Sequence, residues 1–154
     1  MKQNLVHTLV SDCMNPYLIT IGPYASLAEA YEIMIKNQIR RLPVVNKDEL
    51  IGIITMSDIL EAKPSDIKHS LSTDEMNTLL STIIVELVMT RKPVIIYQTG
   101  TLGHASELLL DNKIGGLPVV DANNKLVGLI TESDIFRMIV RKWRDDNIIH
   151  AHTK

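Results

Sequence analysis

The sequence predicts an α/β fold of the α+β kind: a β-α-β-β-α unit built twice, the two copies packed sheet to sheet about a pseudo-twofold axis. Three observations lead there. The chain repeats itself: Met14–Leu60 realigns on Met89–Phe136 with one inserted residue, and about 18 of roughly 47 aligned positions are identical, at a period too long for a solenoid. Within each copy, β-rich runs alternate with stretches of helical period. Finally, Val44, Val45, Ile53 and Ile54, with their partners Val119, Val120, Leu129 and Ile130, are apolar on both alternations of their strands. Strands apolar on both faces have to be covered on both, and packing the two sheets together does this while leaving two related clefts between the copies.

The elements follow in order. A short helical turn (Val10–Met14; Val85–Met89) leads into a brief strand, Leu18–Ile21 or Val94–Tyr97. Ser26 caps the next helix, with Glu29 three residues on as a capping box; in the second copy Thr101 takes the cap and His104 replaces the Glu. Leu27, Ala30, Tyr31 and Met34, and Leu102, Ala105 and Leu109, give each helix one buried face. Two β-rich runs follow, Leu42–Val45 with Leu50–Thr55 and Leu117–Val120 with Leu126–Thr131, joined by the polar turns Asn46–Glu49 and Asp121–Lys125. A second helix starts from Asp58 and from Asp134. Between the copies, Pro64 stops a helix, and Ser72-Thr-Asp-Glu75 opens a linker helix with the apolar stripe Met76, Leu79, Leu80, Ile83. The expected organisation is repeat 1 over 8–62, linker 63–84, repeat 2 over 85–143, and a polar, fraying tail over 144–154.

Composition narrows the function. An apolar content of 45% against 22% charged residues describes a folded globule. A net charge of −2 offers no basic face for nucleic acid. Cys13 is the single cysteine, so no internal disulfide forms and a reducing, cytoplasmic location is expected. The first residues lack the apolar stretch of a signal peptide. The longest apolar run, near Ile83–Met89, is broken by Glu86 and is too short to span a membrane.

The ordered set of a short helix ending in Met, Ser/Thr-Leu with Ala on the next helix, Leu-Pro-Val-Val, and Gly-x-Ile-Thr-x-Ser-Asp-Ile resembles the CBS domain. Two in tandem resemble a CBS pair (Bateman module), and the likeness covers about Val10 to Val140. The linker is similar to that of small stand-alone bacterial CBS-pair proteins, including the acetoin-utilisation type. The resemblance implies a regulatory module without chemistry of its own, binding an adenosyl compound (AMP, ADP, ATP or S-adenosylmethionine) in the inter-repeat clefts, with no resident cofactor. It places the ribose and part of the phosphate on Thr55, Ser57 and Asp58, and again on Thr131, Ser133 and Asp134. It lays the adenine against Leu18 and Ile19, or Pro93 and Val94, and puts Arg40 and Arg41 within reach of a phosphate. It also implies a homodimer, with contact surfaces near Met34 and Leu109, and a partner protein that reads the ligand state. Where the first copy has Arg40-Arg41 the second has Gly115-Gly116, so the two clefts are expected to be unequal.

Each of these residues has a plainer reading. Thr-x-Ser-Asp at a strand-to-helix junction is also ordinary capping, Arg40-Arg41 alone is a surface pair, and Gly52 and Gly128 serve backbone packing. The five histidines are scattered, and no acidic or thiol ligand accompanies His150-Ala-His152, so no metal site is expected. Cys13 lies in an apolar turn and reads as packing. No P-loop, dinucleotide fingerprint or nucleophile elbow occurs, and no catalytic residue is assigned. The rivals are a ligand-free adaptor that docks a partner and an enzyme acting on adenosyl substrates.

Overall fold

The computed structural model describes residues 5–62 and 72–151. In chain order the regular elements are α1 (Leu27–Lys36), β1 (Arg41–Asn46), β2 (Glu49–Thr55), α2 (Met56–Glu61), α3 (Thr73–Thr82), β3 (Thr90–Arg91), β4 (Ile96–Tyr97), α4 (Leu102–Asn112), β5 (Gly116–Val120), β6 (Leu126–Thr131) and α5 (Glu132–Ala151). Short 3-10 turns at Val10–Asp12 and Val85–Leu87 occupy the expected lead-in positions. The fold is α+β with two three-stranded sheets, β1-β2-β3 and β4-β5-β6.

The chain forms two compact units. Ile19–Pro93 makes a central unit, and Met1–Leu18 joins Val94–Lys154 in a split unit. The lead-in turn of each sequence copy therefore belongs to the body formed mainly by the other copy. A pair of contacts explains this. Met89 lies on Gly52, where an added Cβ would stand 2.6 Å from its sulfur, and Met14 lies on Gly128 in the same way. Glycine is required at both positions because the methionine and a backbone carbonyl occupy the space of a side chain.

In the central unit β1 and β2 form a hairpin with Arg41 opposite Thr55 and Asn46 opposite Glu49. Lys47 and Asp48, at φ 48° and 66°, close it in the two-residue left-handed turn that matches strand twist. β3 adds antiparallel to β2 through Gly52–Arg91 and Ile53–Thr90. The strand expected over Leu18–Ile21 shrinks to one parallel bridge: the Ile21 N–H donates to the Pro43 carbonyl, and the Ile21 carbonyl accepts from Val45. Gly22 turns the chain there and Pro23 has no N–H to extend a ladder. Ser26 caps α1 by accepting the Glu29 N–H at 3.1 Å. Leu27, Ala30 and Met34 then enter a core with Ile21, Leu42, Val44, Ile54, Ile59, Leu80, Val85 and Met89. The linker helix α3 carries the complete Ser72–Glu75 capping box, and the Ser72 hydroxyl and amide hold the Glu75 carboxyl below its ordinary value. Of its predicted stripe, Leu80 is buried and Met76 and Ile83 pack against the same core, while Leu79 is only partly buried.

In the split unit β4 runs parallel to β5 (Ile96–Val119, Tyr97–Val120), and β5 pairs antiparallel with β6. Asn15 bridges Leu129 on the far edge through two backbone bonds of 2.9 and 3.0 Å. Thr101 caps α4, accepting the His104 N–H at 3.2 Å. Leu102, Ala105 and Leu109 pack with Val10, Ile96, Leu117, Val119 and Ile130. The turn holding the inserted residue is organised by Asp121, whose Oδ1 accepts the N–H groups of Asn123 and Lys125. Each hairpin has an irregularity at the same place, between Val44 and Val45 and between Val119 and Val120. A slip there changes which side chains face which side, which suits strands apolar on both alternations.

Two readings of the sequence are corrected. The stretch after Trp143 is helical to Ala151 where fraying was expected. It contains no Gly or Pro, and it is tied by a Lys142–Asp146 ion pair of 3.3 Å and by the Asn147 side-chain amide donating to the Trp143 carbonyl. Met34 and Leu109 are core side chains, 0% and 4% exposed, so neither supplies a surface for a second copy. The exposed apolar residues beside them are Ile35 and Leu110. Pro64, His69 and His152 lie outside the described residues. Among the described residues no helix is long and apolar enough to cross a membrane.

Candidate functional site

Each unit has one junction where a strand of the hairpin runs directly into a helix. In the central unit β2 ends at Thr55 and α2 starts at Met56, so the helix begins two residues before Asp58. Thr55 is the N-cap and Asp58 the third helical residue. The Asp58 Oδ2 accepts the Thr55 N–H at 2.7 Å and the Thr55 hydroxyl at 2.8 Å, while the Asp58 N–H donates back to Thr55 Oγ1 at 3.2 Å. This is a capping box with Asp in the role usually taken by Glu. Pairing across the hairpin sets Arg41 directly opposite Thr55, and the Arg40 carbonyl accepts the Met56 N–H at 2.8 Å. Arg40, Arg41, Thr55, Ser57 and Asp58 therefore meet at one end of one sheet, Ser57 and Arg40 exposed and the others partly buried.

The split unit repeats the arrangement. The Asp134 Oδ2 accepts the Thr131 N–H at 2.9 Å and the Thr131 hydroxyl at 2.6 Å. Gly116 stands opposite Thr131, the Gly115 carbonyl accepts the Glu132 N–H at 3.3 Å, and Ser133 is exposed. Asp134 is 8% exposed, the one buried charged side chain among the described residues. Its second oxygen, Oδ1, accepts Arg137 Nη1 at 2.6 Å. Arg137 is a residue that the sequence reading passed over. Its signal was an Arg three residues beyond the Asp, where the first copy has Glu61.

The four positions expected to face an adenine are placed differently. Leu18 and Ile19 straddle the boundary between the units, as do Pro93 and Val94. Ile19 packs against the central core that holds Ile54 and Ile59, and Val94 against the split-unit core that holds Leu117 and Ile130. No hydrogen bond among the described residues joins any of the four to the Thr-x-Ser-Asp side chains.

Chemically, each junction sets a capping carboxylate beside an exposed serine hydroxyl; among the described residues Asp58 Oδ1 accepts no hydrogen bond, whereas Asp134 Oδ1 is taken by Arg137. Such a set can hold a diol. Cys13 sits in the split unit, where burial, then the charges of Asp12 and Asp134, push its thiol above its ordinary value; it is a packed, protonated thiol. Among the described residues no group of three His, Cys, Asp or Glu side chains could hold a metal ion.

Comparison with known proteins defines the class. The CBS domain profile matches residues 10–65 and 84–141, and the chain belongs to the CBS domain family, carrying the domain twice. A CBS domain-containing protein of Dictyostelium discoideum is 33% identical over 134 residues, covering 86% of this chain and 92% of its own length. The MJ1225 protein of Methanocaldococcus jannaschii is 29% identical over 140 residues. The chain spans only part of several relatives: 50% of MJ1225 and 22% of a homoserine O-acetyltransferase of Methanosarcina acetivorans. Among solved structures, Arabidopsis thaliana CBSX2 in complex with AMP is 29% identical, with a TM-score of 0.72 over 87% of this chain and 97% of that one. The CBS pair of MJ0100, in complex with 5′-methylthioadenosine and S-adenosyl-L-methionine, is 31% identical, also at 0.72, over 88% and 98%. A Vibrio cholerae protein assigned to acetoin utilization, AcuB, is 26% identical at 0.72 over 90% and 95%.

Proposed function

We propose that this CBS pair is a non-catalytic regulatory module that binds an adenosyl ligand, AMP, ADP, ATP or S-adenosylmethionine, at its two strand-to-helix junctions. The observation that carries this is the duplicated Thr-x-Ser-Asp junction in a chain whose relatives are solved with AMP, 5′-methylthioadenosine and S-adenosylmethionine. The ribose diol takes Asp58 or Asp134, with Thr55 and Ser57, or Thr131 and Ser133, around it. Arg40 and Arg41 meet a phosphate in the first copy. Leu18, Ile19, Pro93 and Val94 provide apolar surface for adenine. The ligand favours one arrangement of the protein, and a partner protein reads it; the shift is limited by the ligand's difference in affinity between the two states. The module works in the cytoplasm, as a homodimer.

The test is thermal unfolding against AMP, ADP, ATP, S-adenosylmethionine and GTP. A ligand at a hundred times its dissociation constant stabilises by roughly 2.7 kcal/mol. A shift with one or more adenosyl compounds and none with GTP is expected; no shift with any of them overturns the reading.

A second reading is favoured by two features. One oxygen of each aspartate is already occupied by the cap, and α5 exposes Phe136, Ile139, Val140 and Trp143 on one stripe. On this reading the chain is an adaptor that docks a partner through its helices. Asp58→Ala and Asp134→Ala separate the two: the sensor loses ligand binding with its fold intact, whereas the adaptor shows no nucleotide effect before or after substitution.

A further inference from the structure

The two junctions share a cap but differ in where their positive charge stands. In the central unit Arg40 and Arg41 enter from the strand side, and the residue one helical turn beyond Asp58 is Glu61. In the split unit Gly115 and Gly116 leave the strand side without a cation, and the residue one turn beyond Asp134 is Arg137. The charge has moved from strand to helix. It has also taken the acceptor that a diol would use. Asp58 Oδ1 accepts no hydrogen bond among the described residues, whereas Asp134 Oδ1 is held by Arg137 Nη1 at 2.6 Å.

We infer that Arg137 is a specificity-determining residue of the split-unit junction, acting as a latch whose opening an anionic adenosyl ligand compensates and an uncharged one does not. The inference rests on the proposed adenosyl site. A diol that takes Asp134 Oδ1 displaces the guanidinium from it. The arginine side chain is 73% exposed while the aspartate is buried, so the guanidinium can swing into water when a ligand takes its acceptor. The displaced guanidinium stays anchored within a few ångströms by its own backbone, with a fork of donors suited to a phosphate or carboxylate. A ligand with such a group replaces the broken ion pair with a new one. A neutral nucleoside leaves the pair broken and uncompensated. The same substitution pattern makes the central unit the converse case, with Glu61 at the position of Arg137 and its two cations on the strand side.

The experiment uses the full chain with Asp58→Ala to silence the central junction, and titrates AMP and adenosine by calorimetry. With Arg137 present, AMP binds more tightly than adenosine. Arg137→Ala is expected to weaken AMP by about tenfold, the loss of one hydrogen bond to a charged group, and to leave adenosine unchanged or slightly tighter. Arg137→Lys restores part of the AMP preference. Equal changes for both ligands, or none for either, overturn the latch, since a purely structural role moves both together. Circular dichroism and unfolding of each variant check that the helix is intact. Glu61→Arg in an Asp134→Ala background supplies a second arm and should weaken adenosine at the central junction; no weakening there counts against the latch. If none of AMP, ADP, ATP, S-adenosylmethionine and adenosine binds the unsubstituted chain while its fold is intact, the adenosyl reading itself falls and takes this inference with it. Binding in which Asp134→Ala abolishes the split-unit site but Arg137→Ala leaves the AMP to adenosine ratio unmoved sinks the latch alone.

Discussion

The junction at Thr55 and the junction at Thr131 solve the same local problem and then diverge. Both turn a strand into a helix with a threonine cap and an aspartate in the third helical position, and in both the aspartate's Oδ2 receives two donors from the threonine. What surrounds the caps is not the same. Arg41 faces Thr55 across the hairpin, and a glycine faces Thr131. The second aspartate is buried and paired with Arg137, while Glu61 follows the first. The lesson is that a capping motif fixes only half of its carboxylate. The cap holds one oxygen in place, and the other is left for neighbouring residues to assign, so two equal motifs can become unequal sites without disturbing the frame.

The largest effect should come from attacking that shared frame. Gly52→Ala and Gly128→Ala each force a methyl group into the methionine and carbonyl above them. Each is expected to destabilise by about 1–3 kcal/mol, an overpacking cost, and by similar amounts in denaturant unfolding; a large difference would show that the two frames are not equivalent. Next come the caps themselves. Asp58→Ala and Asp134→Ala should each cost about 1 kcal/mol for the lost cap, with Asp134→Ala the costlier because its Arg137 partner is lost as well. Equal losses in urea titration would show that the Arg137 pair contributes nothing to stability.

Smaller effects sharpen the contrast. The hairpin of the first copy places Lys47 and Asp48 in left-handed conformations that Asn and Gly adopt more readily. Replacing the pair by Asn-Gly should stabilise by about 1 kcal/mol by relieving the left-handed backbone cost, read as a raised midpoint of unfolding. The corresponding turn of the second copy, held by Asp121, offers no such gain. Finally, Cys13 has no counterpart in the first copy, where Val88 stands. Its thiol is raised above the ordinary 9.0 by burial, with Asp12 and Asp134 adding to it. The native state therefore holds this proton more tightly than the unfolded chain, and the associated stability, present below pH 9, declines as pH climbs through the raised value. Cys13→Ser should flatten that decline, and Asp134→Asn should speed alkylation of the thiol at pH 8.

The repeat, the hairpins, the caps at Ser26, Thr101 and Ser72, and the stripe of α3 were legible in the sequence because each rests on residues adjacent along the chain. Arg40, Arg41, Thr55, Ser57 and Asp58 were legible as neighbours for the same reason: one hairpin and one junction bring them together. The helix starts were misread by two residues because Thr55 and Asp58 are both acceptable caps, and only the direction of their hydrogen bonds decides between them. Polarity after Trp143 suggested fraying, but polar residues at helical spacing pair with one another. The attachment of Met14 to Gly128 and of Met89 to Gly52 was out of reach. Both copies carry the same Met and the same Gly, so either pairing satisfies the local pattern.

That attachment orders events during synthesis. The central unit, Ile19–Pro93, is one uninterrupted stretch, and everything its core uses has left the ribosome soon after Met89 and Arg91 emerge. The split unit cannot close so early. Met14 and Asn15 are made before the central unit, yet the strand and glycine that receive them, Leu129 and Gly128, come more than a hundred residues later. The segment around Met14 and Asn15 thus waits unpaired while the central unit folds, and β6 gives it its place.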